Sequence, residues 1–458
     1  MTTDVINVRE MILDTLIEIN ENQMLSHIAT GRMLSKYQFL PKQDRAFYTR
    51  IVQGTLENQI RLDYVITQFS KVRIQKMKPL IRELLRMSVY QILYLEHVPD
   101  SAACNEAVKL AAKRGFFGLK GFVNGVLRNI VRQKDSLSFP EKDKDMLSYL
   151  EVKYSIPKWI LEDWNQMYST EEIEKMGIAF HETRKTSVRI AAPEKRKEIL
   201  TEFQSLGVTV KENPYCTDGL LLSDYDYLAA LPPIAEGLVV VQDTSSMLVG
   251  QVAAPKKDDF VIDLCAAPGG KSIHVAQLLQ GNGKVLSQDV SDYKVSLIEE
   301  AVERTGLSNI ECRVFDATDF DAELEEKADL VIADVPCSGL GVLGRKPEIR
   351  YRMSREQIRE LNALQKRIIT NAMRYVKPGG TLIYSTCTIN RIENQDMVQW
   401  IRKNSDLESV SLDSYLPDAL CGKTTKEGYL QLLPGIHESD GFFLARFEKS
   451  NQSLRNED

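Results

Sequence analysis

The 458-residue chain is predicted to be multidomain: an all-α bundle over residues 1–140, a small α+β module over 141–234, and an α/β Rossmann-like domain over 235–449 whose last strand runs antiparallel. Three observations predict this. Up to residue 135, apolar residues recur with a period near 3.6 and no strand-like run intervenes. Between 145 and 235, helical patterns mix with short β-rich pieces. Beyond 235, short apolar runs alternate with helical stretches, the pattern of a mostly parallel sheet with right-handed crossovers. Length agrees, since roughly 150 residues make one domain.

Each element has its own warrant. In the bundle, PLIRELLRMSVYQILYL from Pro79 places Ile81, Leu84, Leu85, Ser88, Ile92 and Leu95 on one face. VREMILDTLIEI, CNEAVKLAAKR and GFVNGVLRNI have similar spacing, the last closing on Arg128 and Arg132. Short helices of this kind must cover one another's stripes, so a compact bundle follows. The charged segment KDSLSFPEKDKDMLSYL (134–150) reads as a linker. The middle module offers helices in WILEDWNQMY and EEIEKMGIAF and strands in SVRIA, GVTVK and GLLLS. The Pro232-Pro233 pair marks its end. Strands of the third domain are FVIDL (260–264), KVLSQ (284–288), ECRVF (311–315), DLVIA (329–333) and TLIYS (381–385), with helices between. FFLARFEK (442–449) follows a Gly/Pro turn with no room for a crossover helix, hence the antiparallel last strand. Residues 450–458 read as a disordered polar tail.

Composition excludes several classes. With 43% hydrophobic and 27% charged residues, the chain is neither disordered nor fibrous. No run approaches about 18 consecutive apolar residues, so no membrane association is expected. The N-terminal MTTDVINVREMILDTL lacks the apolar core of a secretory signal. Seven cysteines spread over this length fit a reducing cytoplasm better than a disulfide framework. A cytoplasmic monomer without metal is expected. The net charge of -6 argues against nucleic acid, but it hides an asymmetry. Residues 1–140 hold 20 Lys and Arg against 13 Asp and Glu, a surplus of seven, so the remainder carries thirteen net negative charges. A basic arm on an acidic body suits a polyanion partner. An ordinary solvated helical surface would look the same.

Chemistry concentrates at the strand ends. In an open α/β sheet, ligands bind at the carboxyl ends of the strands near the topological switch point. The first such end is Asp263-Leu264-Cys265-Ala266-Ala267-Pro268-Gly269-Gly270-Lys271. Small residues and two glycines allow close approach to backbone, and the next helix opens with free N–H groups. The loop is neither a phosphate loop nor G-x-G-x-x-G. A plain strand-to-helix turn is the alternative. The second strand ends at Asp289, about 20 residues on, where a carboxylate can accept both ribose hydroxyls. The third ends near Asp316, at the height of an adenine. Three aspartates at successive strand ends without a phosphate cradle suit S-adenosylmethionine.

Two further strands run into Asp334-Val335-Pro336-Cys337 and Tyr384-Ser385-Thr386-Cys387. Both thiols are therefore expected at the cofactor edge. Cys104, Cys216, Cys312, Cys421 and Cys265 read as packing residues. Paired thiols suit methylation at C5 of a pyrimidine, a poor carbon nucleophile. A thiolate adding to C6 creates an enamine that attacks an electrophilic methyl, one hard step becoming two easier ones. Asp334 is placed to protonate or hydrogen-bond the base at N3. The residues alone leave open which thiol attacks and which assists release.

The motifs DLCAAPGGK, DVPCSG and YSTCT, in that order, resemble the RNA 5-methylcytosine methyltransferases of the NOL1/NOP2/Sun type, over roughly 235–448. The resemblance implies a class I S-adenosylmethionine-dependent methyltransferase domain. It implies that Cys387 is the nucleophile and that Cys337 assists product release. It implies cofactor contacts from Cys265, Ala266, Ala267, Pro268, Gly269, Gly270, Lys271, Asp289, Asp316 and Asp334. VQDTSSML (241–248) resembles the family's approach strand to the catalytic sheet. PGIHESDGFFLARF (434–447) resembles its closing hairpin, with Pro434, Asp440 and Gly441 near the cleft. Arg345, Lys346, Arg350 and Arg352, beyond the P-C motif, are RNA-contact candidates, with exposed surface filler as the alternative. The N-terminal run resembles the NusB-type RNA-binding bundle, and this bundle ahead of the catalytic domain resembles the bacterial branch acting on a cytosine of 16S rRNA. The implied partner is small-subunit rRNA. Activity on tRNA or large-subunit rRNA, adenine N6 methylation and a non-catalytic RNA-binding role are the alternatives; the paired cysteines and the intact cofactor loop argue against the last two.

Overall fold

A computed structural model describes residues 7–183, 185–280 and 283–451. The chain forms two compact units, Met1–Glu182 with Leu343–Arg352, and Thr183–Val342 with Met353–Asp458.

The first unit is helical. Its helices are Val8–Asn20, Ser26–Lys36, Lys42–Glu57, Gln59–Phe69, Pro79–Tyr94, Asp100–Lys113 and Lys120–Gln133, followed by Met146–Tyr154, Lys158–Trp164 and Thr170–Ala179. Local chemistry sets their starts. The Asn7 side chain caps Arg9 and Glu10 N–H groups, Pro79 opens its helix, and Ser169 with Glu172 forms a capping box. Ile81, Leu84, Leu85, Ser88 and Ile92 are buried as the spacing predicts, while Leu95 ends the helix half-buried. Glu83, Arg86, Val89, Tyr90 and Gln91 are buried too, so this helix is central rather than amphipathic. Its charges are paired internally: Arg86 donates to Asp63 (2.6 and 2.7 Å) and to Glu83 (2.7 Å). The segment expected as a linker packs against the bundle, with Phe139 stacked on Tyr64 and Arg61 above its ring. The boundary between units thus falls at Glu182, between the expected boundaries at 140 and 234, because Ile160, Trp164, Ile173 and Phe180 are buried in the helical unit.

Leu343–Arg352 also belongs to this unit. Arg350 is fully buried and donates to the carbonyls of Leu343 (2.9 Å), Tyr154 (3.1 Å) and Ser155 (3.4 Å). Arg352 donates to the carbonyls of Gln23 (2.9 Å), Met24 (2.8 Å) and Ile19. These two arginines are therefore structural, not RNA contacts as expected. A basic loop reads as surface because sequence does not show which orphan carbonyls it will meet.

The second unit holds two sheets. Antiparallel strands β1 (Thr186–Ile190), β2 (Thr209–Glu212), β3 (Gly219–Ser223) and β4 (Val239–Val241) lie in the order β2-β3-β1-β4. They pack on helix Arg196–Ser205 through Val188, Ile190, Ile199, Phe203, Leu220 and Leu222. The expected approach strand at 241–248 is corrected here. β4 pairs with β1 in this small sheet, and the following residues form helix Thr244–Ala253. Asp243 caps that helix by accepting from the Ser245 N–H and hydroxyl, which explains why the chain turns helical at Thr244.

The large sheet comprises β5 (Phe260–Asp263), β6 (Lys284–Asp289), β7 (Ile310–Val314), β8 (Ala328–Asp334), β9 (Val376–Thr386), β10 (Leu407–Ser409), β11 (Tyr429–Leu432) and β12 (Phe442–Lys449). The order is β10-β12-β9-β8-β5-β6-β7, with β11 also on β12. Strands β5 to β9 run parallel, and β12 runs antiparallel to β9, as expected from the Gly/Pro turn before it, and pairs with β11 as well. Alternate residues serve opposite faces: Ile262, Val331, Leu382 and Tyr384 pack on one side, Val261, Leu330, Ile332 and Ile383 on the other. The chain steps from β5 outward to β7 and returns to β8 beside β5. The switch point therefore lies between Asp263 and Asp334. Among the described residues, no helix is long and apolar enough to cross a membrane.

Candidate active site

The loop after β5 turns tightly, with the Gly269 N–H donating to Ala266 O at 2.7 Å. Gly269 has φ +99°, and a side chain there would press on Ile298, so glycine is required. At Gly270, where helix Gly270–Leu278 starts, an added Cβ would meet nothing within 4 Å. This open backbone leaves room for a ligand. Asp263 lies beneath it, fully buried, taking the Ser272 hydroxyl at 2.7 Å. Burial pushes its carboxyl up to about 7, against the Ser272 hydrogen bond and the charge of Lys271. Cys265 sits in the same loop; burial and nearby Asp289, Asp263 and Asp334 push its thiol up, which suits the packing role expected of it.

Asp289 closes β6. It accepts from the Ala267 N–H (3.0 Å), the Val290 N–H (2.8 Å) and Lys294 Nζ (2.9 Å). The carboxylate is thereby aimed beside the cofactor loop. Asp316, exposed beyond β7, takes the Thr318 N–H at 2.9 Å. Hydrogen bonds from Thr318 hold its carboxyl below the usual range. Lys271 and Lys294 are each paired to a carboxylate, Asp334 (2.6 Å) and Asp289. A site of carboxylates with its lysines neutralised fits a phosphate-free nucleoside carrying a positive sulfonium, so the residues fit S-adenosylmethionine.

β8 and β9 are neighbours, and their ends bring the predicted chemistry together. Cys337 Sγ and Cys387 Sγ lie 3.2 Å apart. Asp334 ends β8, bonded through one oxygen to Lys271 and through the other to the Ser385 hydroxyl at 2.7 Å. Burial lowers the Lys271 pKa, but Asp334, Asp263 and the Cys387 side chain outweigh it and raise the pKa above its ordinary value. Lys271 is therefore held as an ammonium, and its charge is coupled to the Cys387 side chain, a link the sequence did not indicate. The hairpin loop meets the same place: Gly441 N–H donates to Gly341 O (2.9 Å), Gly341 N–H donates to Cys387 O (3.0 Å), and Asp440 is buried.

Sequence reasoning missed the support behind the thiols. Glu393, fully buried, accepts from the Ser338 N–H (2.9 Å) and hydroxyl and from Gln365 Nε2 (3.0 Å). Ser338 and Thr388 hydroxyls lie 2.7 Å apart. Asn394 donates to Thr388 O (3.0 Å) and Gln431 Oε1 (2.8 Å). The available signal was that Ser338 and Thr388 directly follow the two cysteines. In RIENQD, Glu393 itself reads as a solvated helix-start residue.

Known proteins give the same outline. The 16S rRNA methyltransferase RsmB/F family matches residues 250–448, and the NusB family matches residues 6–132. A probable ribosomal RNA small subunit methyltransferase B of Bacillus subtilis is 37% identical over 97% of this chain and 99% of its own. The protein of that name in Synechocystis is 32% identical over 97% of this chain and 100% of its own. The crystal structure of PH0851 superposes with a TM-score of 0.81 at 26% identity, covering 97% of this chain and 99% of that one. The chain belongs to the 16S rRNA methyltransferase RsmB/F family: it is an S-adenosylmethionine-dependent rRNA methyltransferase with a NusB-family domain ahead of its catalytic domain.

Proposed function

We propose that this enzyme methylates C5 of one cytosine in 16S rRNA through a covalent Cys387–C6 adduct, with Cys337 assisting release. The observation that carries this reading is the pair of thiols 3.2 Å apart at adjacent strand ends, beside the cofactor loop. Methylation of a ring nitrogen or exocyclic amine needs no thiol. Attack at C5 needs one, because C5 becomes nucleophilic only after a thiolate has added to C6.

Cys387 is the nucleophile, attacking as its thiolate, and the Lys271 ammonium interacts electrostatically with its side chain. Asp334 protonates or hydrogen-bonds N3 of the base, and Lys271 at 2.6 Å holds its carboxyl in place. S-adenosylmethionine, when bound, supplies an electrophilic methyl on a sulfonium. Asp289 would hold its ribose, Asp316 the adenine edge, and Cys265–Lys271 its amino-acid end. After methylation, C5 loses its proton to water and the C6–S bond breaks with its electron pair returning to Cys387. The target base must leave its stack to reach this site. The helical unit supplies phosphate contacts that position the RNA without reading sequence. Arg345 and Lys346 remain candidates for such contacts.

Bisulfite sequencing of 16S rRNA from cells lacking the protein tests this. One cytosine protected in the parent strain should become convertible, and wild-type protein, but not Cys387→Ser, should restore protection. Unchanged protection at every position would overturn the reading.

A further inference from the structure

Glu393 is a buried carboxylate that takes no part in methyl transfer itself, yet its partners are the residues next to both thiols. Its Oε1 accepts from the backbone N–H of Ser338, the residue after Cys337. Its other oxygen takes the Ser338 hydroxyl, which in turn lies 2.7 Å from the Thr388 hydroxyl, on the residue after Cys387. Gln365, from helix Arg355–Tyr375, bridges Glu393 Oε1 (3.0 Å) and Pro336 O (2.9 Å), gripping the P-C loop from behind. One carboxylate thus ties together the two loops that must hold their sulfurs at a fixed separation.

We propose that Glu393 is a positioning residue that locks the two thiol loops in register and holds Cys337 as the proton-bearing partner of a Cys387 thiolate. The electrostatics are unequal on the two sides. Facing Cys337 are Cys387, Glu393 and the Tyr384 phenol. The Cys387 hydrogen bond, burial and the Glu393 charge all push the Cys337 thiol up, against a hydrogen bond from the Gly339 backbone. Cys387 lies against Cys337, and the charge of the Lys271 ammonium, itself bonded to Asp334, acts on it. Burial raises the Glu393 carboxyl, opposed by hydrogen bonds from Ser338, Gln365 and Thr388, and what charge it carries acts on Cys337 while the Lys271 charge acts on Cys387. This arrangement gives Cys337 a use in release. When the C6–S bond breaks, its electron pair leaves on Cys387 Sγ while C5 loses its proton to water. A Cys337 S–H at 3.2 Å donates a hydrogen bond to the departing sulfur and is not consumed.

The inference rests on the reading of Cys387 as nucleophile, and the experiment separates the two. Full-length protein is alkylated with limiting iodoacetamide across a pH series, and labels at Cys337 and Cys387 are located by mass spectrometry. In wild type, Cys387 should react first, with the Cys337 profile displaced to higher pH. Glu393→Gln removes the charge but keeps the shape. It should move the Cys337 profile to lower pH and leave a protein–rRNA adduct that wild type does not accumulate. If Cys337 is the faster thiol in wild type, the inference is wrong, whatever the fate of the variant. It is also wrong if Glu393→Gln folds, behaves as wild type in both readouts, and Cys337→Ser still traps an adduct. If Cys387→Ser retains methyl transfer and Cys337→Ser traps nothing, the underlying thiol reading fails first.

Discussion

At the residue scale, the fully buried Asp263 offers a test of the strand-end electrostatics. Its folded pKa of about 7 lies above the ordinary aspartate value of about 3.9. The fold therefore favours the protonated acid. That contribution is complete below pH about 4 and is lost as pH rises through about 7, at up to roughly 1.4 kcal/mol per pH unit. Asp263→Asn does not titrate. Its melting temperature, measured against wild type, should rise in relative terms from pH 5 to 7.5; a constant difference would show that Asp263 is charged throughout. Single residues were also where sequence was least informative. The cofactor-loop and cysteine positions announced themselves through composition and strand-end placement. Arg350 did not, since a guanidinium binding three carbonyls and one binding phosphate have the same letter. Glu393 did not either, because its partners come from two other loops and a helix.

At the element scale, the loops after β8 and β9 and the β11–β12 hairpin meet at Gly341. A Cβ there would lie 2.0 Å from Gly441 O and 2.8 Å from Cys387 O, both backbone atoms that cannot swing aside. Gly341→Ala should displace the P-C loop from the T-C loop. Methyl transfer should fall by at least about tenfold, the scale of a misplacement approaching 1 Å, while the β5 loop still binds S-adenosylmethionine. Calorimetry of cofactor binding beside tritiated methyl transfer checks this; equal losses in both would mean a general unfolding. Strands β5 to β9 and β12 were legible because each is an apolar run bounded by turn residues. β10 and β11 escaped because three or four residues carry no period. The segment 241–248 misled because Asp243 redirects the chain into a helix two residues after β4 ends.

At the scale of the whole molecule, the charge asymmetry is legible in the residue counts, but its location is not. Between helices Gln59–Phe69 and Pro79–Tyr94, Lys71, Arg73, Lys76 and Lys78 are all exposed on the helical unit. In the function proposed above they are candidates for phosphate contact. Replacing Lys76 and Lys78 by Glu should weaken rRNA binding and flatten its dependence on log salt concentration by about one for each phosphate no longer held. Titrations at three or more salt concentrations measure that slope; an unchanged slope would move the RNA surface elsewhere. Truncation near residue 140 is a poorer test, because helices 146–179 and Leu343–Arg352 complete the same unit. The central claim, covalent catalysis by Cys387, is tested most directly by incubating Cys337→Ser with unmethylated 16S rRNA and S-adenosylmethionine. A denaturing gel, with the modified peptide mapped by mass spectrometry, should show a protein–RNA adduct at Cys387. No adduct from a folded, cofactor-binding Cys337→Ser protein, or one attached elsewhere, would contradict it.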